Sequence, residues 1–258
     1  MNSAWLQRLV ARPQANARLF CFPYAGAGAA VYRLWSTALP EQLEVIAVQL
    51  PGRASRLREP AIASIPALVA ALIPELRPHM NLPFAFFGHS MGALLASEVT
   101  RELTISGGPL PKHLVVSGRR PPHVSSPEPL LHQLPDSQFL SEINRRYGGI
   151  PPELLQHADV LELLLPSLRA DMTAIETFLP SPRMTLACPI SAYGGAEDKL
   201  TPREHLEAWR GETSRAFRLR TFPGEHFYLD ACREEVLADL SMTLAPMLSA
   251  TYSSETIS

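Results

Sequence analysis

Ser90 stands between two glycines at the spacing a serine nucleophile needs. In Gly88-His89-Ser90-Met91-Gly92 the small residues fall two before and two after the hydroxyl. A serine in a tight turn between a strand and a helix has its hydroxyl pushed clear of the sheet, by a backbone held in strained dihedrals. Neighbouring main chain crowds such a turn, so only the smallest residues fit at the flanking positions. Phe84-Ala85-Phe86-Phe87 before the turn reads as a strand, and Ala93-Leu94-Leu95-Ala96 after it as a helix. The pentapeptide alone carries little weight. In this context it points to Ser90 as the nucleophile of an acyl-transfer reaction.

An unassisted serine hydroxyl is a poor nucleophile near neutral pH. It needs a base, and the base needs an orienting carboxylate. When the serine occupies a strand–turn–helix elbow, the acid and then the histidine follow it along the chain. Two histidines, His205 and His226, follow the strand expected to end near Tyr193. His205 falls inside an expected helix, where a surface position is the plain reading. His226, in Pro223-Gly224-Glu225-His226-Phe227, leaves the last expected strand in a loop that can carry imidazole back over the sheet edge. It is the expected base. Tyr193-Gly194-Gly195-Ala196-Glu197-Asp198 leaves the preceding strand, and Asp198 is the expected acid, with Glu197 as its rival.

The tetrahedral intermediate also needs donors for its oxyanion. The N–H of Met91 should be one, and the N–H of Ala25, in Pro23-Tyr24-Ala25-Gly26-Ala27-Gly28, the other. That glycine-rich turn invites a dinucleotide reading. G-x-G-x-x-G starting at Gly26 would require glycine where Val31 stands, so the nucleotide reading fails. There is no Walker motif, HExxH or paired Cys/His spacing either, and neither a cofactor nor a metal is expected.

These residues need a scaffold. Short runs that are apolar on both faces, at residues 18–24, 43–50, 84–88, 113–117, 190–193 and 217–222, read as strands. Helical patterns lie between them, at 31–39, 62–77, 91–103, 203–210 and 234–248. The expectation is a single α/β domain over residues 1–258 in a hydrolase-type α/β fold, its mostly parallel sheet covered by helices on both faces. Residues 119–182 interrupt the alternation with helical stretches near 138–147 and 158–178, a lid insert over the C-terminal edge of the sheet, where open α/β sheets bind ligands. Its Leu130, Leu131, Leu134, Phe139, Leu154, Leu155, Leu161, Leu164 and Leu165 either roof an apolar channel or pack the lid itself. Residues 1–17 read as irregular surface chain.

Composition narrows the partners. The 258 residues carry a formal charge of −2 and no long Lys/Arg block, which argues against nucleic acid. At 46% hydrophobic residues the chain can bury a sizeable core without disulfides or metal. Cys21, Cys188 and Cys232 are odd in number and far apart, as expected of free thiols in a reducing compartment. Met1-Asn2-Ser3-Ala4-Trp5 lacks the basic start and apolar run of a secretion signal, and no apolar stretch reaches the roughly 18–20 residues that span a bilayer. A cytoplasmic monomer that does not bind membrane is the expectation.

Phe22-Pro23-Tyr24-Ala25-Gly26, Gln49-Leu50-Pro51-Gly52-Arg53, Gly88-His89-Ser90-Met91-Gly92, Gly194-Gly195 with Asp198, and Gly224-x-His226-Phe227 occur in order. Together, over roughly residues 18–245, they resemble the type II thioesterases, stand-alone partners of nonribosomal peptide and polyketide synthetases. Tyr24 stands where that family often has His, and Ala27 where it often has a second glycine. The resemblance implies hydrolysis of acyl thioesters from the phosphopantetheine arm of acyl or peptidyl carrier protein domains, clearing wrongly loaded carriers, with phosphopantetheine belonging to the substrate. It leaves Arg53, Arg56, Arg58, Arg119 and Arg120 either as contacts for an acidic carrier or as a solvated rim. The residues by themselves also allow a small-molecule carboxylesterase or lipase, or a hydrolase-fold protein that only binds.

Overall fold

In the computed structural model, residues 3–125, 129–148 and 157–249 are described. Seven strands form one sheet in the order β1-β3-β2-β4-β5-β6-β7. They are β1 (Leu6–Arg8), β2 (Ala17–Phe22), β3 (Leu43–Val48), β4 (Phe84–His89), β5 (His113–Ser117), β6 (Ile190–Gly195) and β7 (Phe217–Phe222). Every pairing from β3 to β7 is parallel. Alternate residues of β2 serve opposite faces, which is why the strand is apolar throughout. Phe20 and Phe22 pack with α2 (Ile65–Leu76) and α3 (Met91–Ile105), whereas Leu19 and Cys21 pack with α1 (Arg33–Ala38) and α8 (Arg233–Leu248). Ser64 caps α2 by accepting the Ala67 N–H at 3.4 Å, and Pro66 in its first turn gives up an N–H that would be unpaired there.

One expectation is corrected at the start of the chain. Residues 1–17 are not all irregular: β1 pairs antiparallel with β3, with Leu6 opposite Val48, and Leu6 is buried. A three-residue strand is too short to show a period of two.

The insert between β5 and β6 contains α4 (Asp136–Tyr147) and α5 (Ala158–Glu176). Leu131, Phe139, Ile143 and Met172 form a small core of their own there. Arg169 closes it, stacking over the Phe139 ring at 4.2 Å and donating to the carbonyls of His132 and Leu134. Leu154 and Leu155 lie outside the described residues. The helix expected at 203–210 is α6 (Arg203–Glu207), continued by a 3-10 turn, and α7 (Tyr228–Ala231) precedes α8. Among the described residues no helix is long and apolar enough to cross a membrane.

The loops leaving β6 and β7 are stitched together by main chain. Ala196 donates to the Phe222 carbonyl at 2.8 Å and Glu197 to the Gly224 carbonyl at 3.0 Å. Gly195 makes that approach possible, because a Cβ there would lie 2.2 Å from the Glu225 carbonyl oxygen and 2.3 Å from that of Gly224. Both obstacles are backbone and cannot rotate away. Gly195→Ala is therefore expected to lower the unfolding free energy by about 1–3 kcal/mol, read as a reduced urea midpoint at unchanged m-value; an unaltered midpoint would show the two loops to be separable.

Candidate active site

Strand β4 delivers Ser90 to the C-terminal edge of the sheet. The residue has φ 53° and ψ −113°, a conformation rare for anything but glycine. Its N–H donates to the Ser117 carbonyl at 2.8 Å, fixing the turn to the end of β5. A Cβ at Gly88 would lie 2.1 Å from the Gly92 carbonyl oxygen, and one at Gly92 would lie 2.0 Å from that of Phe22. The two glycines are a steric requirement of this elbow. Met91 then opens α3, so the hydroxyl stands beside a helix N-terminus with its unpaired N–H groups.

The loop after β7 carries His226 to the same edge, and the loop after β6 carries Asp198. His226 Nδ1 donates to Asp198 Oδ2 at 2.8 Å, and both residues are buried. The other carboxylate oxygen, Oδ1, accepts from the N–H groups of Leu200 at 2.9 Å and Thr201 at 3.3 Å. Burial acts to raise the Asp198 carboxyl. The hydrogen bond and charge of His226, with those two N–H groups, outweigh it and hold the acid below its ordinary range. With Nδ1 donating to a carboxylate, His226 Nε2 presents its lone pair, and that buried nitrogen has no hydrogen-bond partner among the described residues. Ser90 and His226 line the same two cavities. Glu197, the rival acid, points outward and is exposed. His205 is half-buried on α6 and lines neither cavity.

Beneath His226 lies a second imidazole that sequence reasoning passed over. His89 Nδ1 is 2.8 Å from Ser117 Oγ, which is 2.6 Å from the Tyr228 hydroxyl, and the His89 and His226 rings are 5.0 Å apart. Burial, and then the charge His226 can carry, push His89 well below its ordinary value. It is a neutral floor for the site. Tyr147, at the end of α4, sets its ring 5.4 Å from His226, so the lid touches the expected base.

The turn after β2 completes the edge. Gly26 has φ +78°, and Ala27 donates to the Tyr24 carbonyl at 3.1 Å. Neither the Ala25 nor the Met91 N–H is engaged by another described residue. Ala25 and Ser90 share an apolar cavity of about 230 Å³, walled by Leu140, Ile143, Leu161, Leu164, Leu168 and Met172 of the two lid helices. Of the apolar lid residues singled out from sequence, Leu161 and Leu164 face this cavity, whereas Leu131 and Phe139 pack the lid. A second cavity of about 310 Å³ meets Ser90 and His226 from the side of Arg119, Arg120, His123 and Arg146.

Two of the arginines offered as a basic rim do other work. Arg53 is 3% exposed and forks onto Asp171, with Nη1 to Oδ2 at 2.5 Å and Nη2 to Oδ1 at 2.8 Å. Arg56 is buried, paired with Glu59 and stacked over the Trp5 ring at 4.1 Å. Of the five, Arg58 alone is exposed; Arg119 and Arg120 are half-buried. Burial, then the neighbouring Arg120, press Arg119 down to about 10. Asp171 itself went unread. The available signal was an aspartate on the apolar face of α5, one turn from Leu168 and beside Met172.

Comparison with known proteins places this geometry in a family. A sequence model of the thioesterase domain matches residues 17–243. Linear gramicidin dehydrogenase LgrE of Brevibacillus parabrevis is 41% identical over 249 residues, covering 95% of this chain and 94% of the relative. Thioesterase PikA5 of Streptomyces venezuelae is 40% identical over 241 residues, covering 93% and 85%. The solved structure of BorB, a type II thioesterase from the borrelidin biosynthetic cluster, superposes with a TM-score of 0.85 at 34% identity, covering 96% of this chain and 99% of that one. The chain therefore belongs to the thioesterase family of α/β hydrolases, among the type II thioesterases.

Proposed function

We propose that this enzyme hydrolyses acyl groups from the phosphopantetheine arm of acyl or peptidyl carrier protein domains, regenerating misprimed carriers in nonribosomal peptide or polyketide biosynthesis. The observation that carries the reading is a serine in a strained elbow, sharing an apolar cavity with an imidazole that a buried carboxylate orients. The relatives named as thioesterases, and the biosynthetic clusters in their names, support the choice of sulfur ester and of pathway class.

In this reading His226 Nε2 takes the Ser90 proton as Oγ attacks the thioester carbonyl. Asp198 holds the ring in the required tautomer and stabilises the imidazolium that forms. The N–H groups of Ala25 and Met91 receive the developing oxyanion. Collapse of the tetrahedral intermediate breaks the C–S bond, and the His226 imidazolium gives its proton to the departing sulfur, which leaves as a thiol and returns the ring to its neutral form. A thiol ionises near pH 8.5, so its departure demands less proton donation than that of an amine. The acyl-serine is then attacked by water, which His226 deprotonates, and the carboxylic acid leaves with Ser90 restored. The apolar cavity beneath α5 takes the acyl chain. No cofactor of the enzyme's own is needed, because phosphopantetheine arrives with the substrate. The same reading has the enzyme acting as a cytoplasmic monomer whose macromolecular partner is the carrier protein.

Ser90→Ala and His226→Ala should each lower turnover of an acyl-carrier thioester by about four to six orders of magnitude with the circular dichroism spectrum intact, because nucleophile and base act as one unit. With Glu197 facing solvent and unable to stand in, Asp198→Asn should cost about 10⁴-fold; single-turnover release of acid from the carrier, followed by mass spectrometry, measures all three. The substrate class is tested by comparing an acyl-carrier thioester with a matched oxygen ester. Preference for the thioester is expected, and rapid ester cleavage without carrier turnover would mean a carboxylesterase of the same fold.

A further inference from the structure

Gly26, the residue after the expected oxyanion donor Ala25, is gripped from two sides by one lid helix. Asp171 Oδ2 accepts the Gly26 N–H at 2.7 Å. Leu168, one turn earlier on α5, places its Cδ1 3.1 Å from where a Gly26 Cβ would stand. Asp171 is 0% exposed, and such a carboxylate persists only when its charge is matched. Arg53, from the turn after β3, supplies the match and also donates to the Pro51 carbonyl at 3.3 Å and the Ala27 carbonyl at 3.4 Å. One ion pair thus joins three segments: the turn after β3, the turn after β2, and the lid.

The consequence concerns the backbone of Ala25. The peptide between Ala25 and Gly26 is planar, so fixing the Gly26 N–H fixes the Ala25 carbonyl as well and restricts the turn from which the Ala25 N–H projects. The constraint comes from the lid: Leu164, Leu168 and Met172 of the same helix wall the cavity that takes the acyl chain. We propose that Asp171 is a positioning residue that makes the oxyanion hole conditional on the seating of α5, with Arg53 holding its carboxylate in register. The inference rests on the hydrolytic reading of Ser90 and is independent of whether sulfur or oxygen leaves. An interaction that acts through the oxyanion is realised in the transition state, so its loss falls on kcat and leaves KM.

The test uses two variants of the full chain. Asp171→Asn keeps the volume but leaves a buried guanidinium without its anion, and it can fail to fold. The double variant Arg53→Met with Asp171→Leu removes both charges together, a change that buried ion pairs often tolerate, and still deletes the acceptor for Gly26. Activity is measured per folded protein, judged by circular dichroism, on an acyl-carrier thioester and on p-nitrophenyl acetate. The expected result is a fall in kcat of about 10²–10³-fold on both substrates, the size associated with losing one oxyanion donor, with KM changed by less than about threefold. A folded double variant whose kcat stays within about threefold of wild type overturns the proposal, as does a loss carried by KM alone. Wild type that cleaves only the oxygen ester contradicts the thioesterase reading while leaving the role of Asp171 to be decided by the same kcat ratio.

Discussion

A non-glycine residue held at φ +53° carries roughly 1–3 kcal/mol of backbone strain, and the site of this enzyme is organised around keeping Ser90 in that state. The turn cannot relax without breaking the hydrogen bond to the Ser117 carbonyl, and it fits only because Gly88 and Gly92 leave room for the Gly92 and Phe22 carbonyls. The same constraint ties three adjacent strands together: β4 supplies the serine, β5 accepts its N–H, and the exit of β2 lies against Gly92. Because β2 and β4 are neighbours in the sheet, the turn carrying Ala25 and the helix beginning at Met91 leave it side by side. The two expected oxyanion donors follow from that adjacency.

The expected base and acid are positioned by an analogous contact between main chains. Gly195 permits the loop after β6 to lie against the loop after β7, and the two backbone bonds between them set the distance over which His226 meets Asp198. The lid closes the arrangement from above. Tyr147 reaches His226, and Asp171 reaches Gly26, so α4 and α5 each touch a different part of the expected machinery. A lid that serves only as a roof would need neither contact.

The parts of the site legible in the sequence are those with a local cause. The elbow is legible because its glycine spacing is a short local pattern, although only Gly88 answers to crowding within five residues and Gly92 makes room for the Phe22 carbonyl of the neighbouring strand. The order of acid and histidine follows from which strand ends reach the edge, and the exposed Glu197 beside the buried Asp198 separates two candidates that spacing alone could rank but not divide. The parts that escaped are relations between distant segments. Arg53 and Asp171 are far apart in the chain; Asp171 interrupts the apolar face of α5, but nothing local to Arg53 names its partner, so Arg53 reads from sequence as one of several surface cations. Arg56 has its ion-pair partner three residues away at Glu59, but the distant Trp5 ring it stacks on is not legible from sequence. The strand β1 escaped through shortness, and His89 because a residue inside a nucleophile turn attracts no separate question. Lid leucines were legible as apolar, yet which of them face the cavity and which pack Phe139 depends on how α4 and α5 lie on one another.

The central claim is that Ser90, His226 and the N–H groups of Ala25 and Met91 converge on one tetrahedral centre. A crystal structure of the enzyme after covalent modification by a fluorophosphonate tests it directly, because the phosphonyl group imitates the tetrahedral intermediate. The account predicts an adduct on Ser90 Oγ whose phosphoryl oxygen lies about 2.7–3.1 Å from both backbone nitrogens, with His226 Nε2 facing the ester oxygen. An adduct on another residue, or a phosphoryl oxygen turned away from Ala25 and Met91, would contradict it.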